Sequence, residues 1–193
     1  KVSKHDFVNM NFNHPVYAQL LPEDYYYKNH KNSFNKIDFY NNPVDYKSCL
    51  NDFITYADML ITGHYHAPNN PVLLSKQDLK ENKKLKVIGD ISCDINGPIG
   101  STIRPSTINQ PIYGYNCTTG LEDDLDKEDV IAVMAVDNLP CSLPKDASID
   151  FGSVFVQKVL PELLSNGDMI ARGTITKDGN LTKRFSYLSD YIA

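Results

Sequence analysis

Three short stretches carry the side chains that could do chemistry. Gly63-His64-Tyr65-His66 places two imidazoles two positions apart. Ser92-Cys93-Asp94 sets a hydroxyl, a thiol and a carboxylate in a row, and Asp137-Asn138-Leu139 adds a second carboxylate beside an amide. On an extended strand His64 and His66 would face one side and could share a metal ion, with Asp94 or Asp137 as a carboxylate ligand. No third ligand stands at a fixed spacing, so the expectation is no metal, with one imidazole packed and the other solvated. Cys93 could be a nucleophile, but no histidine stands at a diagnostic spacing and a buried structural thiol is expected instead. Together the three stretches suit a polar ligand with an aromatic or ribose part.

Each stretch ends an apolar run: Asp58–Thr62, Lys84–Ile91 and Val130–Val136. Unbroken apolar runs read as strands covered on both faces, as in parallel sheets. Ligands of such sheets bind beyond the carboxyl ends of the strands. If the three strands are parallel neighbours, their end loops converge on one crevice. Pro111–Tyr115 is a weaker strand candidate, and Val16–Leu21 reads as a short strand near the start. The segment Asp24–Lys28 follows Pro22 and should open a helical turn, with the Tyr25–Tyr27 triplet used for packing. Pro43 should lead into a helix that puts Tyr46, Leu50, Phe53 and Ile54 on one face. Pro144 opens a longer helix striped by Phe151, Val154, Phe155 and Val159, with a break or kink at Pro161 and a short second piece at Glu162–Leu164. Lys177-Asp178-Gly179-Asn180 is a hairpin turn.

Composition narrows the class. The 193 residues are 41% hydrophobic and 22% charged, enough for one domain or two small ones. Nineteen Lys+Arg against 24 Asp+Glu give a net charge of −5, which argues against nucleic acid as a partner. No apolar run approaches the ~20 residues of a membrane span. Cys49, Cys93, Cys117 and Cys141 form no CxxC pair and read as reduced thiols of a cytoplasmic protein. Asn116-Cys117-Thr118 and Asn180-Leu181-Thr182 fit the glycosylation pattern, but the opening KVSKHDFVNMNF has no secretory character. That opening is expected to follow a removed leader or tag, or to continue a longer chain. No Gly-x-Gly-x-x-Gly occurs, so the residues alone offer no phosphate cradle.

The run from Ala57 to Tyr65, VIGDISCDINGPIGSTIRPSTINQPIYGY at 87–115 and VMAVDNLPCSLPKDAS at 133–148 resemble the lysine-forming saccharopine dehydrogenases. They look equally like the lysine–ketoglutarate reductase part of aminoadipic semialdehyde synthase, within the alanine dehydrogenase/transhydrogenase superfamily. The similarity runs over most of residues 43–190. The resemblance implies an α/β fold: a partial Rossmann-like parallel sheet with flanking helices, plus a C-terminal segment belonging to the neighbouring domain. Residues 1–140 would be the second part of the dinucleotide-binding domain. Residues 141–193 would be a linking helix and a segment returning to the first, substrate-binding domain.

The resemblance further implies NAD or NADP as cofactor and hydride transfer at the secondary amine of an amino acid, in lysine metabolism. Carried over by position, Tyr65, Ile91, Val136, Asp137, Asn138 and Leu139 would contact the cofactor. Ser92, Cys93 and Asp94 would line the substrate pocket. Asp137 would lie nearest the chemistry, orienting the nicotinamide end or holding a charged amine without itself moving a proton. The family's glycine-rich turn, its acidic ribose-binding residue and its Lys and His acid–base pair would all precede Lys1. The 193 residues alone should therefore be inactive, and should associate with the missing N-terminal half or with themselves. An alanine-dehydrogenase-like enzyme acting on other amino acids, a non-catalytic nucleotide-binding module and a metal-dependent hydrolase built on His64 and His66 are the competing readings.

Overall fold

The computed structural model describes residues 1–30, 33–67 and 69–191. They form two units, Lys1–Leu139 and Pro140–Ala193, the last two residues lying outside the described set. The first unit opens with α1 (Lys4–Asn9), capped by the Ser3 side chain, and then α2 (Pro22–Tyr25). Strand β1 (Tyr26–Tyr27) follows directly, then α3 (Lys36–Asn41), a 3₁₀ turn at Pro43–Asp45, β2 (Lys47–Ser48) and α4 (Asn51–Ile54). The helical turn expected at Asp24–Lys28 thus closes at Tyr25. Tyr26 and Tyr27 pair antiparallel with Ser48 and Lys47, and Tyr26 packs among Phe34, Phe39 and Tyr25. Burial of the ring outweighs another turn of helix. The helix expected after Pro43 is likewise cut to α4, although Tyr46, Leu50 and Ile54 are all buried.

The sheet comes next. The apolar runs become β3 (Met59–Thr62), β4 (Val87–Asp90) and β7 (Val130–Met134), with α5 (Lys76–Glu81) crossing from β3 to β4. Between β4 and β7 lie β5 (Tyr113–Asn116) and β6 (Glu122–Asp123). The strand order is β3-β4-β7-β5-β6. β3, β4 and β7 are parallel, whereas β5 runs antiparallel to β7 and β6 antiparallel to β5. The sheet is therefore α/β and Rossmann-like but mixed. α5 starts at a capping box in which Ser75 accepts from the Asp78 N–H and Asp78 from the Ser75 N–H. Its Leu79 is completely buried beneath the sheet.

Alternation sorts the strands into two faces. Ile88, Ile131, Val133, Tyr113 and Tyr115 enter one core with Leu50, Ile54, Leu74 and Leu79. Register places Met59, Ile61, Val87, Gly89, Ala132 and Met134 on the other face. There Met59 and Ile61 are exposed, and Val87, Ala132 and Met134 are half-buried. Expecting both faces covered is thus wrong for the described residues, and an unbroken apolar run cannot reveal which face is open.

Val16–Leu21, expected as a strand, pairs with none among the described residues. Its Tyr17 carbonyl accepts the Val2 N–H at 2.9 Å and its Leu21 carbonyl accepts the Asp24 N–H at 2.8 Å. A cavity of about 510 Å³ lies between this segment and β3, lined by Val16–Leu20, Phe53, Ile54 and Met59–His64. An extended segment separated from a sheet edge by such a gap has no ladder to join.

The second unit starts within a 3₁₀ turn at Leu139–Ser142. It contains α6 (Pro144–Val154), a π-helical turn at Phe155–Val159, α7 (Leu160–Ser165) and α8 (Asp168–Gly173). A hairpin of β8 (Thr176–Lys177) and β9 (Asn180–Leu181) and a 3₁₀ stretch at Lys183–Tyr191 close it. The irregularity expected at Pro161 takes the form of the π turn just before it, where a proline leaves the helix one hydrogen bond short. Asp178 and Gly179 have φ of 52° and 78°, as a two-residue hairpin loop requires. No described residue of this unit is buried, and Phe151 stacks on Phe155 with 6.2 Å between ring centroids. No helix among the described residues is long and apolar enough to cross a membrane.

Two glycines in the sheet test this packing. A methyl group on Gly114 would run into the Asp123 carbonyl and lie 2.8 Å from Val130 Cγ1, whereas one on Gly89 would meet Met134 Cε at 3.6 Å, an ordinary contact. Gly114→Ala should lower stability by about 1–3 kcal/mol, and Gly89→Ala should change it far less, read as urea midpoints at constant m-value.

Candidate functional site

The parallel order β3-β4-β7 brings the carboxyl ends of three strands side by side. A buried carboxylate ties them together. Asp90 is the last residue of β4 and shares its inward face with Ile88, so its side chain enters the core, where it is 0% exposed. A buried carboxylate needs donors. Thr62 Oγ1, opposite Asp90 in the register, donates to Oδ1 at 2.8 Å, and Thr102 Oγ1 donates to Oδ2 at 2.7 Å. The backbone N–H groups of Ser92 and Cys93 turn back to Oδ1 at 3.1 and 3.3 Å. That turn holds Cys93 at φ 52°, a left-handed conformation that a side chain normally avoids.

From this turn two side chains reach the neighbouring strand ends. The Cys93 thiol donates to the Ala135 carbonyl at 3.0 Å, just ahead of Val136–Leu139. The same carbonyl accepts the Ser106 N–H at 2.8 Å. On the other side Ser92 Oγ accepts the His64 N–H at 2.8 Å, donates to the His64 carbonyl at 3.0 Å and lies 3.4 Å from His64 Nδ1. The loop from 94 to 112, tied to the corner through Thr102 and Ser106, has further supports. Tyr113 donates its hydroxyl to the Ser101 carbonyl at 2.8 Å, and Arg104 lies over the Tyr113 ring while pairing with both Glu122 oxygens at 2.6 and 2.7 Å.

These contacts decide the chemistry each group can do. Burial raises the Cys93 thiol pKa, and Asp90, Asp137 and Asp94 push it further the same way. The thiol therefore stays protonated and hydrogen-bonded, a structural group and not a nucleophile. The three aspartates all act on it because all three stand at this strand-end corner. Burial lowers the pKa of His64, opposed by Asp90 and Asp94 and reinforced by His66. His64 and His66 lie in the loop beyond β3, so the strand geometry that would pair them on a metal does not apply. Among the described residues no group of three or more His, Cys, Asp or Glu could hold a metal ion. Each histidine nevertheless keeps one buried ring nitrogen without a hydrogen-bond partner, His64 Nε2 and His66 Nδ1.

The remaining expected residues stand along the same edge. Tyr65 is 78% and Ile91 51% exposed, Asp137 and Asn138 are exposed, and Asp94 and Leu139 are half-buried. Val136 is buried, its neighbour across an isolated bridge being Ser106. The cavity beside β3 reaches His64 but is not lined by Tyr65, Asp94 or Asp137. The sequence reading overlooked Thr62, Asp90 and Thr102. An acidic residue inside an apolar run was the available signal for Asp90, whereas its partner Thr102 lies twelve positions away and carried none.

Comparison with known proteins agrees with this architecture. The family profile described as alanine dehydrogenase/PNT, C-terminal domain, matches residues 28–184. The chain is 32% identical over 173 residues to the alpha-aminoadipic semialdehyde synthase of Arabidopsis thaliana, covering 84% of this chain and 16% of that protein. It is 27% identical to the mitochondrial alpha-aminoadipic semialdehyde synthase of Mus musculus, covering 80% of this chain and 20% of that one. With the saccharopine dehydrogenase [NAD(+), L-lysine-forming] of Candida albicans it shares 31% identity over 112 residues, 58% of this chain and 27% of the relative. The chain thus spans less than a third of the length of these curated relatives.

Two measurements probe the corner. Asp90→Asn turns an acceptor oxygen into a donor facing Thr and backbone donors, and should destabilise by about 1–3 kcal/mol. The check is a lowered urea midpoint that Asp94→Asn does not reproduce. Because the folded-state pKa of His64 is depressed, the unfolded chain takes up its proton first as the pH falls. The His64 contribution is fully present above the unfolded value of ~6.5 and is lost as the pH drops from there toward the folded value. The urea midpoint of His64→Gln should therefore fall less than that of the parent between about pH 7.5 and 5.5.

Proposed function

The chain belongs to the alanine dehydrogenase/PNT C-terminal domain family, and on that premise we propose that it forms the second half of the dinucleotide-binding domain of an NAD- or NADP-dependent dehydrogenase of the saccharopine type. The supporting observation is the strand-end corner. Three parallel strands deliver Tyr65, Asp94 and Asp137 to one edge of the sheet, where ligands of open α/β sheets sit. The names of the relatives, drawn from aminoadipic semialdehyde and saccharopine metabolism, support the reaction class.

The residues present fit the nicotinamide end of a dinucleotide. Exposed Tyr65 and Ile91 offer apolar contact, and the unpartnered nitrogens of His64 and His66 leave hydrogen-bonding capacity in the same loop. Ser92, Cys93 and Asp94 are assigned to the substrate side. The bound coenzyme would supply the hydride acceptor or donor for an amino-acid secondary amine. Asp137, exposed beyond β7, orients the positively charged end of the ligand and moves no proton. Asn138, Leu139 and the Val136 backbone complete that wall. A glycine-rich cradle for the pyrophosphate is not part of these residues. The acid–base groups and that cradle are assigned to further polypeptide, consistent with the greater length of the relatives. The second unit, Pro140–Ala193, is assigned to the link with the substrate domain. A small amino acid or 2-oxo acid is the partner, and the cytoplasm remains the expected location.

The 193-residue chain alone should not oxidise saccharopine with NAD⁺ or NADP⁺, and appreciable turnover would refute the division of labour. Joined to a glycine-rich half-domain of the same family it should gain that activity. Asp137→Asn should then lower kcat/KM on the order of 10²-fold. Activity with alanine and pyruvate instead would move the assignment to an alanine-dehydrogenase-like enzyme.

A further inference from the structure

Resting on the coenzyme reading above, we propose that Ser92 is a positioning residue for the coenzyme: its hydroxyl latches the Tyr65 loop to the end of β4 and makes no contact with the coenzyme itself. A serine hydroxyl has one proton to donate and two lone pairs. Ser92 Oγ accepts the His64 N–H at 2.8 Å and turns its proton to the His64 carbonyl at 3.0 Å. One side chain thereby holds both polar groups of one backbone position. The hydroxyl is itself fixed, because the Ser92 N–H is bonded to the fully buried Asp90.

Apart from the half-buried rings of His64 and His66, the loop it holds has little else to hold it. Among the described residues no other hydrogen bond to the backbone of residues 63–66 is found. Gly63 has no atom within 4 Å of the place a Cβ would take, and Tyr65 is 78% exposed. The chain of contacts therefore runs from a core carboxylate through Ser92 to His64, and Tyr65 takes its place from His64. Removing the hydroxyl frees Tyr65 to sample other positions, and a ligand that needs it must first order the loop.

Amide hydrogen exchange on the protein without ligand tests the latch directly. In Ser92→Ala the His64 amide should exchange at least about tenfold faster, with Ile88 and Val133 unchanged. Ser92→Thr, which keeps the hydroxyl, should retain most of the protection. Unchanged exchange at His64 in Ser92→Ala overturns the latch. Titration of the chain joined to the glycine-rich half-domain with NAD⁺ and NADP⁺, followed by the Tyr65 and Asp94 amide resonances, tests the consequence. Ser92→Ala should weaken binding about tenfold, the Tyr65 shift being lost before the Asp94 shift. Equal affinity, or a loss of affinity in Ser92→Ala with the His64 amide still protected, overturns the positioning role. If the joined protein with Ser92 intact binds neither nucleotide, the coenzyme reading falls together with the positioning role, whereas the exchange result still decides whether the hydroxyl holds the loop.

Discussion

A carboxylate with no access to water, satisfied by neutral donors from three segments, is the constraint on which the corner depends. Asp90 ends β4 on the inward face and draws Thr62 from β3, Thr102 from the following loop and two N–H groups of its own turn. Leaving any of its oxygens bare in the core would be costly, so the surrounding backbone conforms to it. The left-handed Cys93 is one result of that conformity. The directions of the Ser92 hydroxyl and the Cys93 thiol, toward β3 and β7 respectively, are another. The placement of the exposed side chains at the sheet edge thus follows from a buried interaction that touches no ligand.

The sheet has a second consequence. Its parallel run stops at β3, whose outward-facing Met59 and Ile61 are exposed beside an apolar cavity. Edges of this kind are normally covered, charged or paired. In a doubly wound domain the half that carries the glycine-rich turn adjoins the half that does not, at the point where strand order reverses. The half-domain proposed above would present an open parallel edge of this kind. In the second unit Phe151 of α6 and Phe155 of the π turn form a separate exposed aromatic pair.

Much of this was legible in the chain itself. The strands at 59–62, 87–90 and 130–134, the hairpin at 176–181 and the irregular helix before Pro161 follow from apolar runs, Asp-Gly and proline, which act locally. The resemblance at the three strand ends identified the family. Errors fell where a partner far along the chain decides the outcome. Tyr26 left the helix for an aromatic cluster, and Val16–Leu21 had no edge to join. Strand geometry does not extend to His64 and His66, because β3 ends before them.

The sequence alone determined the class of fold, the order of its strands along the chain and the residue types at each strand end, because local periodicity and turn chemistry operate over a few positions. Only the tertiary structure decided which face of the sheet is covered, that β5 runs against β7, and that Ser92 and Cys93 direct their polar atoms into the protein and away from solvent. The first two depend on packing and pairing between segments far apart in the chain, and the last on satisfying one buried carboxylate with donors up to 28 positions away, conditions that no local pattern encodes.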